Sequence, residues 1–290
     1  MNFIDLDYVK EIYKPRELES YKGDFGHTLI LCGSSGMVGA GFFASMGAVK
    51  SGSGLTTLGT YRETFDIFSI KLNEVMLLNL DEINILDNLE KFSCIVFGSG
   101  FGINQKNEHL LKELLSNFPK PIVIDADGLT MLAKNSNLDF LKNRTYPTIL
   151  TPHYGEFSRL TNLDIEYIKV NRVAIAKEFA QKYSCILLLK DHKTLITNGE
   201  NIFINTTGNS VMATGGMGDV LSGIIGAFIS QKYLPLDATL LGTYIHGKSG
   251  EHFSESYYCT TPTDIINILP KIIKGIEFKT LYLYFIFSHL

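Results

Sequence analysis

Residues 214–219, TGGMGD, set three glycines and one carboxylate just before an apolar helical pattern. Backbone N–H groups at a helix start attract negative charge. Glycines keep Cβ atoms away, so a phosphoryl group can approach the backbone at Gly215, Gly216 and Gly218. Asp219 stands at the same point. It can accept a proton from an attacking hydroxyl, which is general-base catalysis beside an anion hole. A helix N-cap would explain the aspartate but not the three glycines with it.

Five further loops carry clustered glycine or polar groups. GSSGMVGAG (33–41), which includes Ala40, either receives an anion or lets a helix pack closely on the preceding strand. It has neither GxGxxG nor the Walker Lys-Ser/Thr ending. GSGFG (98–102) either brings backbone to a ligand or forms a structural turn. DADG (125–128) puts two carboxylates at a strand end. Asp125 can bind a metal or orient a loop, and Asp127 suits a helix N-cap. TPHYGE (151–156) spaces His153 and Glu156 three apart, where Glu156 could hold a magnesium-bound water. Zinc would need further ligands. LKDHKT (189–194) suits a nucleotide's phosphate or base edge, or the entry to a hairpin.

These loops need a frame, and the hydrophobic pattern supplies one. HTLILC, GLTTLGT, SCIVFG, PIVIDADG, TILTPHYGE and CILLLK read as buried strands. Helical spacing follows in FFASMGAVKSG and over residues 164–183, 219–229 and 236–253. KTLITNGENIFIN reads as a hairpin turning at Asn198-Gly199. Apolar strands alternating with helices predict an α/β fold with a mostly parallel sheet covered on both faces. All six loops follow strands, so they gather at the carboxyl edge, where such sheets bind ligands. No linker divides the chain, so one domain is expected.

Composition excludes several classes. The 290 residues are 45% hydrophobic and 19% charged, enough for a large core. A net charge of −4 offers no footprint for nucleic acid. Four scattered cysteines contain no CxxC pair. Cys32, Cys94 and Cys185 lie in apolar runs and read as buried free thiols, which fits a reducing cytoplasm. No stretch reaches the ~20 apolar residues of a membrane helix, and the N-terminus lacks a signal-peptide core. The ending LYLYFIFSHL reads as a packed tail or subunit contact, with a frameshift as the second explanation.

G-x-G-D opening an apolar helix resembles the ribokinase-like superfamily, in which the glycines form the anion hole and the aspartate is the catalytic base. A narrower resemblance covers residues 22–250. KGDFGHTLILCGSSGMVGAGFFAS, FGSGFG, IVIDADGL, ILTPHYGEFSRL, LLLKDHKTLI and NTTGNSVMATGGMGDVLSGII occur in the order seen in the ADP- or ATP-dependent NAD(P)H-hydrate dehydratases. The resemblance implies a three-layer α/β/α domain over 22–278, a lead-in over 1–21 and an atypical tail over 279–290. It implies dehydration of hydrated NADH or NADPH, with Asp219 as base and ADP or ATP as phosphoryl donor. Ala40, Gly102, His153 and Asp219 would line the hydrate site. Lys190, Asp191, His192, Lys193, Thr194 and Gly218 would contact the adenine nucleotide, with Asn205 and Asn209 shaping that side. Glu156 matches the magnesium-positioning glutamate of the superfamily, acting through water. A cytoplasmic homotetramer served by an NAD(P)H-hydrate epimerase on a separate chain is also implied.

Four positions depart from the family pattern. Asp191 replaces glycine, Ser99 replaces proline, Met217 replaces threonine and Tyr21 replaces histidine. Two other readings keep part of the same site: a small-alcohol kinase of the superfamily, and a nucleotide-binding regulator without catalysis.

Overall fold

Strands such as β2 (His27–Leu31) and β5 (Cys94–Phe97) are apolar at nearly every position because both faces are covered. The computed structural model describes residues 1–134 and 137–287, with side chains through 277. The other strands are β1 (Asn2–Ile4), β3 (Leu55–Thr60), β4 (Met76–Asn79), β6 (Ile122–Ile124), β7 (Thr148–Leu150), β8 (Ile186–Leu189), β9 (Leu195–Thr197) and β10 (Ile202–Asn205). They form one ten-stranded sheet in the order β1-β10-β9-β8-β7-β6-β5-β2-β3-β4. Among the described strands only β9 runs against its neighbours, closing the expected hairpin with β10.

The helices are α1 (Leu6–Ile12), α2 (Val38–Lys50), α3 (Arg62–Lys71), α4 (Gln105–Asn117), α5 (Asp127–Leu132), α6 (Asp139–Lys142), α7 (Tyr154–Thr161), α8 (Ile165–Val170), α9 (Arg172–Lys182), α10 (Met217–Ser230), α11 (Pro235–Glu251) and α12 (Pro262–Phe287). Side-chain alternation along each strand feeds two cores. Ile30, Val96, Val123 and Leu188 point to the face packed by α2, α10, α11 and α12. Leu29, Leu31, Ile95, Phe97 and Ile124 point to the face packed by α4, α5, α7 and α9. This is the predicted three-layer, mostly parallel arrangement.

The contact between α2 and α10 sets the site. Any side chain at Gly223 would collide with the Ala44 carbonyl, so glycine allows the two backbones to touch. That contact brings the loops before both helices to one edge of the sheet.

Two elements differ from expectation. The single helix predicted over 164–183 is broken at Asn171 (φ −109, ψ 21), whose side-chain amide and backbone N–H both turn back to the Tyr167 carbonyl. The first residues are also not a mere lead-in: β1 pairs in parallel with β10, and α1, capped by Asp5, packs on α11 and α12. Cys32, Cys94 and Cys185 are buried free thiols, as expected, and Cys259 is exposed. Among the described residues no helix is long and apolar enough to cross a membrane. The backbone of α12 enters the predicted tail as far as Phe287. Side chains from 278 onward and residues 288–290 lie outside the described residues, and the packed-tail expectation with them.

Candidate functional site

The carboxyl edge gathers the predicted loops by backbone hydrogen bonds. Gly33 N–H donates to Ser99 O, Gly98 N–H to Leu31 O, Asp125 N–H to Phe97 O, and Lys190 N–H to Pro152 O. Parallel strands leave these ends side by side.

Asp219 lies in the first turn of α10. The first intrahelical bond runs from Val220 N–H to Gly216 O, so the amides of Met217, Gly218 and Asp219 precede the ladder and are available to an anion. Gly216, at φ 95, turns the chain into the helix beside Phe43 and Pro262. Gly215 faces open space. A Cβ on Gly218 would sit 3.2 Å from Lys190 Nζ and 3.4 Å from Asp125 Oδ2.

Charge around Asp219 is dense. Burial pushes its pKa up to about 6, and the negative charge of Asp125 adds to the rise. The Ser99 hydroxyl, fully buried beside it but outside ordinary hydrogen-bond geometry, favours the ionised form, as does Lys190. Lys190 Nζ donates to Asp125 Oδ1 at 2.8 Å and lies 3.8 Å from Glu156 Oε2. Burial works against the ammonium. The surrounding carboxylates Asp125, Glu156 and Asp219 outweigh it and hold the lysine pKa above its usual value.

Asp125 is the centre of this cluster, buried to 1% exposure. Between it and Asp127, Ala126 takes φ 48, an uncommon conformation for a residue with a side chain. The sharp turn sends the neighbouring carboxylates apart. Asp125 meets Lys190, and Asp127 Oδ2 accepts from Gly102 N–H at 2.9 Å. Asp127 is the first residue of α5 rather than its cap.

His153 and Glu156 form a capping box at α7. His153 Nδ1 accepts from Gly155 N–H, and Glu156 Oε2 accepts from His153 N–H at 2.9 Å. The His153 side chain stays half-exposed, with Nε2 3.5 Å from Glu156 Oε1. Ala40, in the first turn of α2, packs against the GSGFG loop: a Cβ on Gly100 would lie 2.9 Å from its own. Among the described residues no three His, Cys, Asp or Glu side chains converge as a metal cage.

Beside Gly218 opens a cavity of about 640 Å³. Lys190, Asp191, His192, Thr194, Asn205 and Asn209 reach its walls, but Lys193 does not. Gly218 borders the cavity, whereas Ala40, Gly102, His153 and Asp219 do not line it. Asp191 is not among the residues with positive φ, so replacing glycine here introduces no backbone strain. Its carboxylate accepts from Arg172 at 2.7 Å, from Tyr154 at 3.0 Å and from His192 N–H at 2.7 Å. Its charge is thus met by Arg172 before it could oppose a phosphate. Asn205 and Thr207 brace the opposite wall through Asn205 Nδ2 to Thr207 O, and Thr207 Oγ1 to Tyr244 O. The weight carried by Asp125 and the presence of Thr243 and His246 in the cavity wall were not anticipated. DADG held a visible signal for the first; GTYIHGKSG, read only as helix, held none for the second.

The comparisons agree with this geometry. A family model described as NAD(P)H-hydrate dehydratase matches residues 28–271. The ADP-dependent (S)-NAD(P)H-hydrate dehydratase of Listeria monocytogenes is 33% identical over 89% of this chain and 91% of its own length. The bifunctional NAD(P)H-hydrate repair enzyme Nnr of Moorella thermoacetica is 34% identical over 90% of this chain, which spans only 52% of that longer protein. The solved ADP/ATP-dependent NAD(P)H-hydrate dehydratase from Bacillus subtilis, co-crystallized with ATP/Mg2+, is 28% identical. It gives a TM-score of 0.84 over 95% of this chain and 98% of that one. A match running through every loop described above, over most of its length, places this chain in the NAD(P)H-hydrate dehydratase family.

Proposed function

We propose that the protein restores NADH or NADPH from its hydrate, consuming ADP and releasing AMP and phosphate, with ATP as the alternative donor. The observation that carries this reading is Asp219 at the glycine-rich start of α10, one residue from Gly218 in the cavity wall and charge-coupled to Asp125 and Lys190. Asp219 takes the proton of the hydrate's C6 hydroxyl. That oxygen attacks the terminal phosphorus of ADP, and the phosphoanhydride bond breaks to release AMP. The amides of Met217, Gly218 and Asp219 meet the negative charge that develops on the transferred group. Phosphate then leaves C6 with its bonding electrons, a proton is lost from C5, and the ring double bond returns. Hydroxide would be a poor leaving group; phosphate is a good one.

Lys190 would contact the donor's phosphates, and Asp125 would hold it ready. Ala40, Gly102 and His153 would border the hydrate, with Asp127 holding the Gly102 amide in place. Glu156 would orient water around a magnesium ion, whose charge would screen the phosphates. Asn205 and Asn209 would shape the nucleotide side. Assembly as a homotetramer, cytoplasmic location and supply by an epimerase belong to the same reading. Light scattering tests the assembly.

Incubation with NADH-hydrate, ADP and Mg²⁺ tests the reaction, with regenerated NADH followed by absorbance. NADH and AMP should appear in equal amounts. Phosphorylation of a thiazole or pyrimidine alcohol without NADH recovery would overturn the reading in favour of a small-alcohol kinase.

A further inference from the structure

One polar side chain of the nucleotide-sized cavity has no part in the chemistry above. His246 lies on α11 between Thr243 and Gly247 and lines the cavity with them. It is 9% exposed, and its Nε2 is covered without a protein partner among the described residues. Buried polar atoms are nearly always paired, so an unpaired one asks what pairs with it.

The state of the ring narrows the answer. Burial lowers its pKa to about 4, the charge of Lys190 adds to the fall, and the Met217 carbonyl opposes it. Near neutral pH the imidazole is therefore uncharged, with one N–H and one lone pair. The two halves of the cavity differ accordingly. Lys190 and the Gly218 backbone offer positive charge and N–H groups, which suit phosphate. The α11 wall with His246, Thr243 and Gly247, together with the Leu221 and Met212 side chains that also line the cavity, offers apolar surface and neutral polar atoms, which suit a nucleoside. The loop opposite is tied to this stretch of helix, since Thr207 Oγ1 donates to Tyr244 O and Gly247 lies against Thr207.

We propose that His246 is a nucleoside-recognition residue, whose Nε2 pairs with an uncharged polar group of the bound nucleotide, on the base edge or a ribose hydroxyl. Nε2 lies behind the cavity surface, so the ring turns when the contact forms. The inference rests on the nucleotide reading of this cavity and adds the residue that selects the nucleoside.

The test compares His246→Phe, which keeps a ring but removes both nitrogens, with His246→Gln, which restores an amide near Nε2. Loss of one neutral hydrogen bond predicts a rise in KM for ADP of about fivefold in the phenylalanine variant, with kcat little changed. The glutamine variant should recover part of it. Parallel assays with 2′-deoxy-ADP and inosine diphosphate assign the partner: the analogue lacking it should lose its penalty relative to ADP in the phenylalanine variant. Should that variant fail to fold, ¹⁵N-histidine spectra of the unaltered protein decide. The Nε2 signal of His246 must move on saturation with adenosine and stay in place with inorganic phosphate. An unchanged KM in a folded His246→Phe protein, or an unmoved Nε2 signal at saturation, overturns the inference. Failure of the unaltered protein to bind ADP at all would instead overturn the reading of the cavity.

Discussion

The loop entering α2 and the loop entering α10 are both glycine-rich, and the helices they feed pack against each other. Their glycines meet different things. A Cβ on Gly41 would lie 2.7 Å from the Cys32 carbonyl oxygen and 2.7 Å from the Phe68 ring, so the end of that loop is tied to packing, while Gly36 at its tip faces open space. A Cβ on Gly218 would meet Lys190 and Asp125, and one on Gly215 would meet nothing. The first turn of α2 has no acid, whereas that of α10 has Asp219. Glycine therefore marks close approach in both places. At Gly41 what approaches is the Cys32 backbone and the Phe68 ring; at Gly218 it is the Lys190–Asp125 charge cluster.

The largest effect should come from removing the one acid that separates the two loops. Asp219→Asn should lower turnover by about 10³-fold, the loss of a general base, while ADP affinity measured by calorimetry changes less than about threefold. The same substitution should raise the melting temperature. The folded-state pKa of about 6 lies above the unfolded value near 4. Stability from this group is therefore present below pH ~4 and lost as pH rises through about 6. At neutral pH the charged carboxylate opposes folding by on the order of 2 kcal/mol. The unaltered enzyme should correspondingly lose kcat/KM as pH falls below about 6.

A paired glycine test comes next. Gly218→Ala should lower kcat/KM by about 10- to 100-fold with little change in thermal stability, since it intrudes on Lys190 and the phosphoryl site. Gly41→Ala should destabilise the fold by about 1–3 kcal/mol, seen in urea unfolding, because backbone cannot move aside. Equal stability losses at both positions would erase the distinction between the loops.

Asp125→Asn should act more mildly through Asp219. Removing a neighbouring negative charge lowers the pKa of Asp219, so the acid limb of the kcat/KM profile should move to lower pH. A limb that stays in place would remove Asp125 from that role. The smallest effect belongs to Asp191→Asn. Its partly exposed pair with Arg172 contributes at most about 1 kcal/mol, and KM for ADP should change less than about threefold.

Much of the site was legible from adjacent residues. TGGMGD announced an acid among glycines at a helix start, and apolar strands preceding each loop announced their common edge. The GSSGMVGAG loop was not decidable, because anion binding and close packing demand the same glycines. Phe68, far along the chain, shows close packing at Gly33 and Gly41, while Gly36 stays open. A lone carboxylate at Asp191 would oppose phosphate by charge, and its partner Arg172 lies 19 residues earlier, out of reach of any local motif. The break at Asn171 was hidden because apolar spacing continues through it, while the backbone turns to satisfy Tyr167.

Hydrophobic period, turn residues and the spacing of an acid from its glycines are properties of neighbouring positions. They are written in the chain before it folds, and they dictated the layered sheet, the loops at its edge and the place of Asp219. The ionisation of Asp219, the Lys190–Asp125 pair joining residues 65 apart, and the uncharged wall around His246 depend on distance and burial in space. Electrostatic energies follow those two quantities, so only the folded arrangement could assign them.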